Sequence, residues 1–194
     1  MLWDRQNYAG IGPPERNRNI EGGKMTEIKS LIRTIPDFPK KGILFRDITP
    51  VLKDPKAFKK VIDAFQRNTP VDIDKVVAIE SRGFIFGAAL AVNLGVGFVP
   101  IRKSGKLPGR TIKAKYDLEY GSDTLEIHED AVEKGDKVIL IDDLLATGGT
   151  ALASCKLIEK SGGIVKKILF LVELDDLKGC EKLKGYDVFS LIHF

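Results

Sequence analysis

The chain has 194 residues, 43% hydrophobic and 30% charged, with 31 lysines and arginines against 27 acids for a formal charge of +4. That supplies a substantial core for one domain, and no apolar run approaches the ~20 residues that span a bilayer. The mild basic excess suits a small anionic substrate; there is no dense Lys/Arg run interleaved with aromatics to make a nucleic-acid groove, and two cysteines give neither a metal pattern nor a disulfide framework, which suits a reducing cytoplasm.

Residues 1–24 show no periodicity and lack the apolar core of a signal peptide. The expectation is a flexible N-terminal extension over 1–24, with a partner-binding arm around Trp3 and Tyr8 as the other reading, followed by a folded domain over 25–194. Thr26 can cap a short helix whose Ile28, Leu31 and Ile32 share a face. Residues 35–50 contain three prolines and read as a loop, yet an apolar one, with Phe38, Leu44 and Phe45. Such a loop covers something, either the core beneath it or a flat ring stacked on Phe45. Asp54 and Pro55 then provide cap and first-turn proline for a helix to about Asn68, with Phe58, Val61, Ile62 and Phe65 inward.

The stretch from Lys75 is an apolar strand ending in Glu80, Ser81 and Arg82, and Gly83 leads into a helix through about Leu94. Ligands of open parallel sheets gather beyond the carboxyl ends of strands. Arg82 either forks onto phosphate oxygens there or pairs with Glu80. A third strand, Gly97 to Ile101, runs into the basic, glycine-punctuated segment Arg102 to Arg110. This segment either closes over a polyanion or is a solvated surface loop. Thr111 to Tyr116 and Thr124 to Ile127 alternate as a hairpin.

The chain centres on Lys137 to Ser154. Val138 to Ile141 is an unbroken apolar run, as in a strand buried on both faces, and Asp142 and Asp143 stand where it should end. Ala146-Thr147-Gly148-Gly149-Thr150 then opens a helix with Leu152, Cys155 and Ile158 on one face, closed at Gly162-Gly163. The glycines permit close backbone approach, and amides at a helix start attract phosphate. Paired carboxylates repel phosphate and suit hydroxyls or a hydrated divalent cation. A sugar phosphate satisfies both ends. Neither Gly-x-x-x-x-Gly-Lys-Ser/Thr nor Gly-x-Gly-x-x-Gly is present. Beyond this, Lys167 to Leu174 reads as another buried strand and Val188 to Ile192 as an edge strand, while His128 and His193 are isolated and read as surface or packed residues. Strands and helices alternate around about five mostly parallel core strands, the pattern of an α/β fold.

The central stretch resembles the phosphoribosyl pyrophosphate (PRPP) signature of the type I phosphoribosyltransferases. From about Met25 onward the chain is similar to the adenine-specific branch of that family, on Phe38-Pro39, Gly42 to Asp54, Glu80-Ser81-Arg82-Gly83-Phe84, Val99 to Lys103 with Gly105 to Gly109, Leu118 to Gly121, and Asp142 to Thr150. The resemblance implies a mostly parallel central sheet flanked by helices, with an N-terminal hood and a flexible loop hairpin. It also implies a cytoplasmic homodimer that converts adenine and PRPP to AMP and pyrophosphate with Mg2+, without nucleic-acid or membrane partners.

Residue by residue, the resemblance assigns the ribose phosphate to Ala146, Thr147, Gly148, Gly149 and Thr150 and the ribose hydroxyls to Asp142 and Asp143. Glu80, Ser81, Arg82 and Gly83 correspond to the pyrophosphate loop, which in this fold often holds a non-proline cis bond, here near Ser81. Phe45 would stack on adenine while the backbone of Leu44 and Arg46 reads its edge. Arg102, Lys103 and Lys106 would meet pyrophosphate, Arg102 across a dimer. Glu119 and Tyr120 belong to the mobile hood, Glu119 exchanging a proton with the purine and Arg82 neutralising the departing anion; Mg2+ is held through PRPP and water rather than by side chains directly.

Overall fold

The computed structural model describes residues 26–117 and 122–194. The expectations for the extension over 1–24 and for Glu119 and Tyr120 lie outside the described residues. The chain divides into two compact units, Met1–Asp54 and Pro55–Phe194.

In the first unit, helix α1 covers residues 26–31, and the Ile28 and Ile32 side chains of the anticipated face are buried. Strands β1 (Arg33–Pro36) and β2 (Leu44–Asp47) then pair antiparallel, from Arg33 opposite Asp47 to Pro36 opposite Leu44. The segment read as a loop is therefore a hairpin. Its prolines sit at the end of β1, in the connecting turn after a cis Phe38–Pro39 bond, and in the first turn of helix α2 (Thr49–Lys53). At such positions a missing N–H removes little or nothing from a ladder. Asp47 is buried and accepts hydrogen bonds from Arg33 Nε at 2.9 Å and the Thr49 amide at 2.9 Å, which locks the base of the hairpin to α2.

The second unit is a seven-stranded sheet: β3 (Lys75–Ile79), β4 (Gly97–Lys103), β5 (Thr111–Asp117), β6 (Ser122–His128), β7 (Lys137–Leu145), β8 (Ile164–Glu173) and β9 (Val188–His193), in spatial order β5-β6-β4-β3-β7-β8-β9. The five strands from β4 to β9 are mutually parallel, and the β5–β6 hairpin is antiparallel to β4. Helix α5 (Gly149–Lys160) buries Cys155, Leu157 and Ile158 in one core with Val77, Val138, Leu140 and Phe170. Helices α3 (Pro55–Arg67) and α4 (Gly83–Leu94) pack together through Phe65 and Phe86, and α4 lies on the other face, where a Cβ at Gly87 would come within 2.6 Å of Ala78. Coverage of both faces explains why β3, β7 and β8 read as continuous apolar runs rather than alternating ones.

Two sequence expectations shift. Strand β7 does not end at the acids but continues to Leu145, because β8 runs beside it with Asp142 opposite Phe170 and Leu144 opposite Val172. Asp142 and Asp143 therefore lie within the strand rather than beyond its end, with their carboxyls near enough to influence each other. The second shift is topological. The chain leaves β3 for β4 on one side and returns to β7 on the other, so a crevice opens at the carboxyl ends of β3 and β7.

Candidate active site

The crevice is framed by two turns brought together by a glycine. A Cβ at Gly83 would stand 2.8 Å from Asp142 Oδ1 and 3.0 Å from the Ile141 carbonyl, so only glycine lets the start of α4 sit against the end of β7. The turn before it contains a cis peptide between Glu80 and Ser81, where the resemblance located one. Arg82 pairs with Asp143 and remains partly exposed. Its Nε lies 2.8 Å from Asp143 Oδ2, an ion pair without the alignment of a hydrogen bond.

The two acids differ in environment. Asp143 is buried, and burial pushes its carboxyl up while Arg82 pulls it back. Asp142 is half-buried and accepts the Asp143 amide at 2.8 Å; burial, then the Asp143 charge beside it, raise it well above the ordinary carboxylate range. One carboxyl thus holds its proton more firmly than an isolated aspartate, and it lines the hollow formed with residues 144–151 and Phe170.

That hollow falls on the stretch from which the sequence reading expects a cradle. Gly148 has φ +77°, the left-handed region, and its carbonyl accepts the first helical bond of α5 from the Leu152 amide at 3.0 Å. A Cβ there would fall 2.4 Å from the Gly179 carbonyl, and a Cβ at Gly179 would fall 2.3 Å from that of Ala146. Helix α6 (Gly179–Lys182) therefore braces the cradle backbone to backbone. Thr147 is exposed and Thr150 half-buried, with Tyr116 of β5 packed against the core that α5 helps form. Backbone amides at the start of α5 and two threonine hydroxyls make a seat for a tetrahedral dianion.

The cations lie beside it. Arg102 donates to Glu80 through Nε at 3.3 Å and Nη2 at 3.2 Å, and Lys106 Nζ reaches the same carboxylate at 2.5 Å. The Lys103 amide adds a fourth donor at 3.1 Å, while its ammonium pairs with Asp123 at 2.9 Å. Burial pushes Glu80 up, but Lys106, Arg102 and that amide hold it down to about 2. The structure thus brings Glu80, Ser81, Arg82, Gly83, Arg102, Lys103, Lys106 and the cradle to one sheet edge. Leu44, Phe45 and Arg46 belong to the first unit, where Leu44 is exposed and the Phe38 and Phe45 rings meet edge to face at 5.1 Å. His193, read as isolated, has Nδ1 2.9 Å from Asp175 Oδ1.

Sequence reasoning missed Glu126, Tyr116 and Gly179. Glu126 is 1% exposed between the buried Leu125 and Ile127, and three inward residues in a row defeat the period of two that an edge hairpin should show. Only the charge itself, embedded in an apolar strand, could have flagged it.

A family model described as phosphoribosyl transferase domain matches residues 51–193. The adenine phosphoribosyltransferase of Christiangramia forsetii is 62% identical over 87% of this chain and 99% of its own length, and that of Caldanaerobacter subterraneus subsp. tengcongensis is 59% identical over 88% and 99%. Among solved structures, the adenine phosphoribosyltransferase of Thermoanaerobacter pseudethanolicus superposes with TM-score 0.85 at 59% identity, covering 88% and 99%. The Saccharomyces cerevisiae enzyme, complexed with an imino-altritol bisphosphate and adenine, superposes with 0.84 at 46%, again covering 88% and 99%.

Proposed function

This chain belongs to the phosphoribosyl transferase family, and we propose that it is a purine salvage enzyme that transfers the phosphoribosyl group of PRPP to adenine, giving AMP and pyrophosphate. The carrying observation is the match to adenine-specific relatives over almost their whole length, together with a cradle, paired acids and cations on one sheet edge.

The chemistry asks for two things. The C1–pyrophosphate bond breaks toward an oxocarbenium-like ribose, so charge must be neutralised on the departing anion while adenine N9, losing its proton, is held on the opposite side of C1. In this reading Ala146 to Thr150 seat the 5-phosphate, and Asp142 and Asp143 take the ribose hydroxyls. Ser81, Gly83, Arg82, Arg102, Lys103 and Lys106 face the pyrophosphate, with Glu80 as their counter-ion before substrate arrives. Phe45 offers a ring to adenine, with the backbone of Leu44 and Arg46 as edge readers, and Tyr120 belongs to the covering segment with Glu119. The oxygen donors at Asp142 and Asp143, the latter balanced by Arg82, suit Mg2+ bound through its waters, as a hard cation demands. When bound with PRPP, magnesium would neutralise pyrophosphate charge.

Two finer readings accompany this one. Exposed Ile85 and Val92, which share one face of α4, support a homodimer through that face. Among the described residues no helix is long and apolar enough to cross a membrane, and we place the enzyme in the cytoplasm.

The test is to mix the protein with PRPP, Mg2+ and each purine base at equal concentrations. AMP should dominate; preference for hypoxanthine or guanine would overturn the adenine assignment. Glu119→Gln should lower kcat by about 100-fold if Glu119 exchanges the purine proton, and near-normal turnover would remove that role.

A further inference from the structure

We propose that Glu126 is a positioning residue for the pyrophosphate site, holding the β4–β5 loop in the turn that presents Arg102 and Lys106. This rests on the function proposed above and extends it to a residue with no place in that machinery.

The side chain is 2% exposed, and the nearest cation, Lys113 Nζ, stands 3.6 Å from Oε2. An ionised carboxylate so placed is costly unless its oxygens are met by donors. Here most donors are main-chain groups of one turn. Oε1 accepts the amides of Lys106 and Leu107, each at 2.9 Å, and Oε2 accepts the Thr111 hydroxyl at 3.3 Å. Burial pushes the carboxyl up, and the amides of Leu107, Lys106 and Gly105, then Lys113, more than reverse this. Gly105, at φ +86°, allows the turn to aim those amides inward.

The consequence reaches the cations through Lys106. Its N–H is held by Glu126, its carbonyl accepts Arg102 Nη1 at 3.0 Å, and its ammonium reaches Glu80. Both cations are thereby referred to a buried anchor on β6. The same strand holds the far end of the loop, where His128 Nε2 donates to the Pro108 carbonyl at 2.8 Å, which also fixes the proton on that nitrogen. A loop pinned at 105–107 and 108 keeps its cations together when the Glu80 contacts give way to substrate.

The test compares wild type with Glu126→Ala and Glu126→Gln in steady-state kinetics, amide hydrogen exchange and thermal unfolding. Glu126→Ala should raise the PRPP KM about tenfold while the adenine KM stays within about twofold, and should speed exchange at residues 105–107. Glu126→Gln keeps one acceptor oxygen and should recover much of both. An unchanged PRPP KM, or equal rises for both substrates alongside a lowered Tm, would overturn the assignment. If Glu126→Ala does not fold, Glu126→Met, which fills the same buried space without acceptor oxygens, decides, and wild-type exchange at 105–107 in that variant would overturn the assignment. Absence of AMP formation by the wild type would sink the proposed function instead, because exchange at 105–107 reads the anchor without catalysis.

Discussion

The phosphate cradle and the basic loop occupy the same edge of the sheet and are held there by different forces. The cradle hangs between a strand buried on both faces and a helix, and its shape comes from main-chain contact: Gly148 against Gly179, Gly179 against Ala146, Gly83 against Asp142. The loop leaves β4 at an antiparallel edge and is held by charge, with Glu80 gathering Arg102 and Lys106 and Glu126 gathering amides. Close packing does not titrate and tolerates little displacement; ion pairs respond to pH, salt and competing anions. A transferase that must grip one phosphate steadily and release another as product gains from having each kind in its place.

The contrast breaks most visibly at Gly148. Gly148→Ala places a methyl 2.4 Å from the Gly179 carbonyl at φ +77°, and both effects oppose folding of the cradle. The expected result is a loss of about 2–4 kcal/mol in denaturant unfolding and at least about a 100-fold fall in kcat/KM for PRPP. Near-normal values would show that the cradle yields more easily than packing implies.

Glu80→Gln sharpens the comparison through pH. Its carboxyl is depressed from 4.5 to about 2, so its pairing stabilises the fold fully above 4.5, and this contribution is lost as pH falls from there through about 2. Wild type should exceed Glu80→Gln by about 1–3 kcal/mol near neutrality, the difference shrinking across that window in urea titrations. A difference independent of pH would mean packing, not charge, holds the loop.

Tyr116→Phe probes the join. Tyr116 packs on the core that α5 helps form, and loss of its hydroxyl should raise the PRPP KM about two- to threefold with a stability change under about 1 kcal/mol. A change as large as that of Gly148→Ala would make the cradle depend on the hairpin rather than on its own strand.

The cradle was legible in advance because every part of it is consecutive: apolar strand, two acids, Thr-Gly-Gly-Thr, helix. The anchoring of the basic loop was not, since Glu80, the Arg102–Lys106 segment and Glu126 lie on separate stretches whose adjacency depends on strand order. The hairpin at β1 and β2 was hidden by prolines placed where they do no harm. The pairing of Arg82 escaped for a related reason: its partner, Asp143, belongs to a strand remote in sequence, joined to β3 only by the parallel register.

By itself, then, the chain determined the alternating α/β pattern, the glycine turn and helix start of the candidate cradle and the supply of cations, because local periodicity, glycine conformation and helix-start amides are properties of short stretches. Tertiary structure alone decided which carboxylate holds which cation and that Asp142 and Asp143 lie within β7 rather than after it. It also decided that Glu126 is buried, because desolvation and ion pairing depend on neighbours that only the ordering of strands brings together.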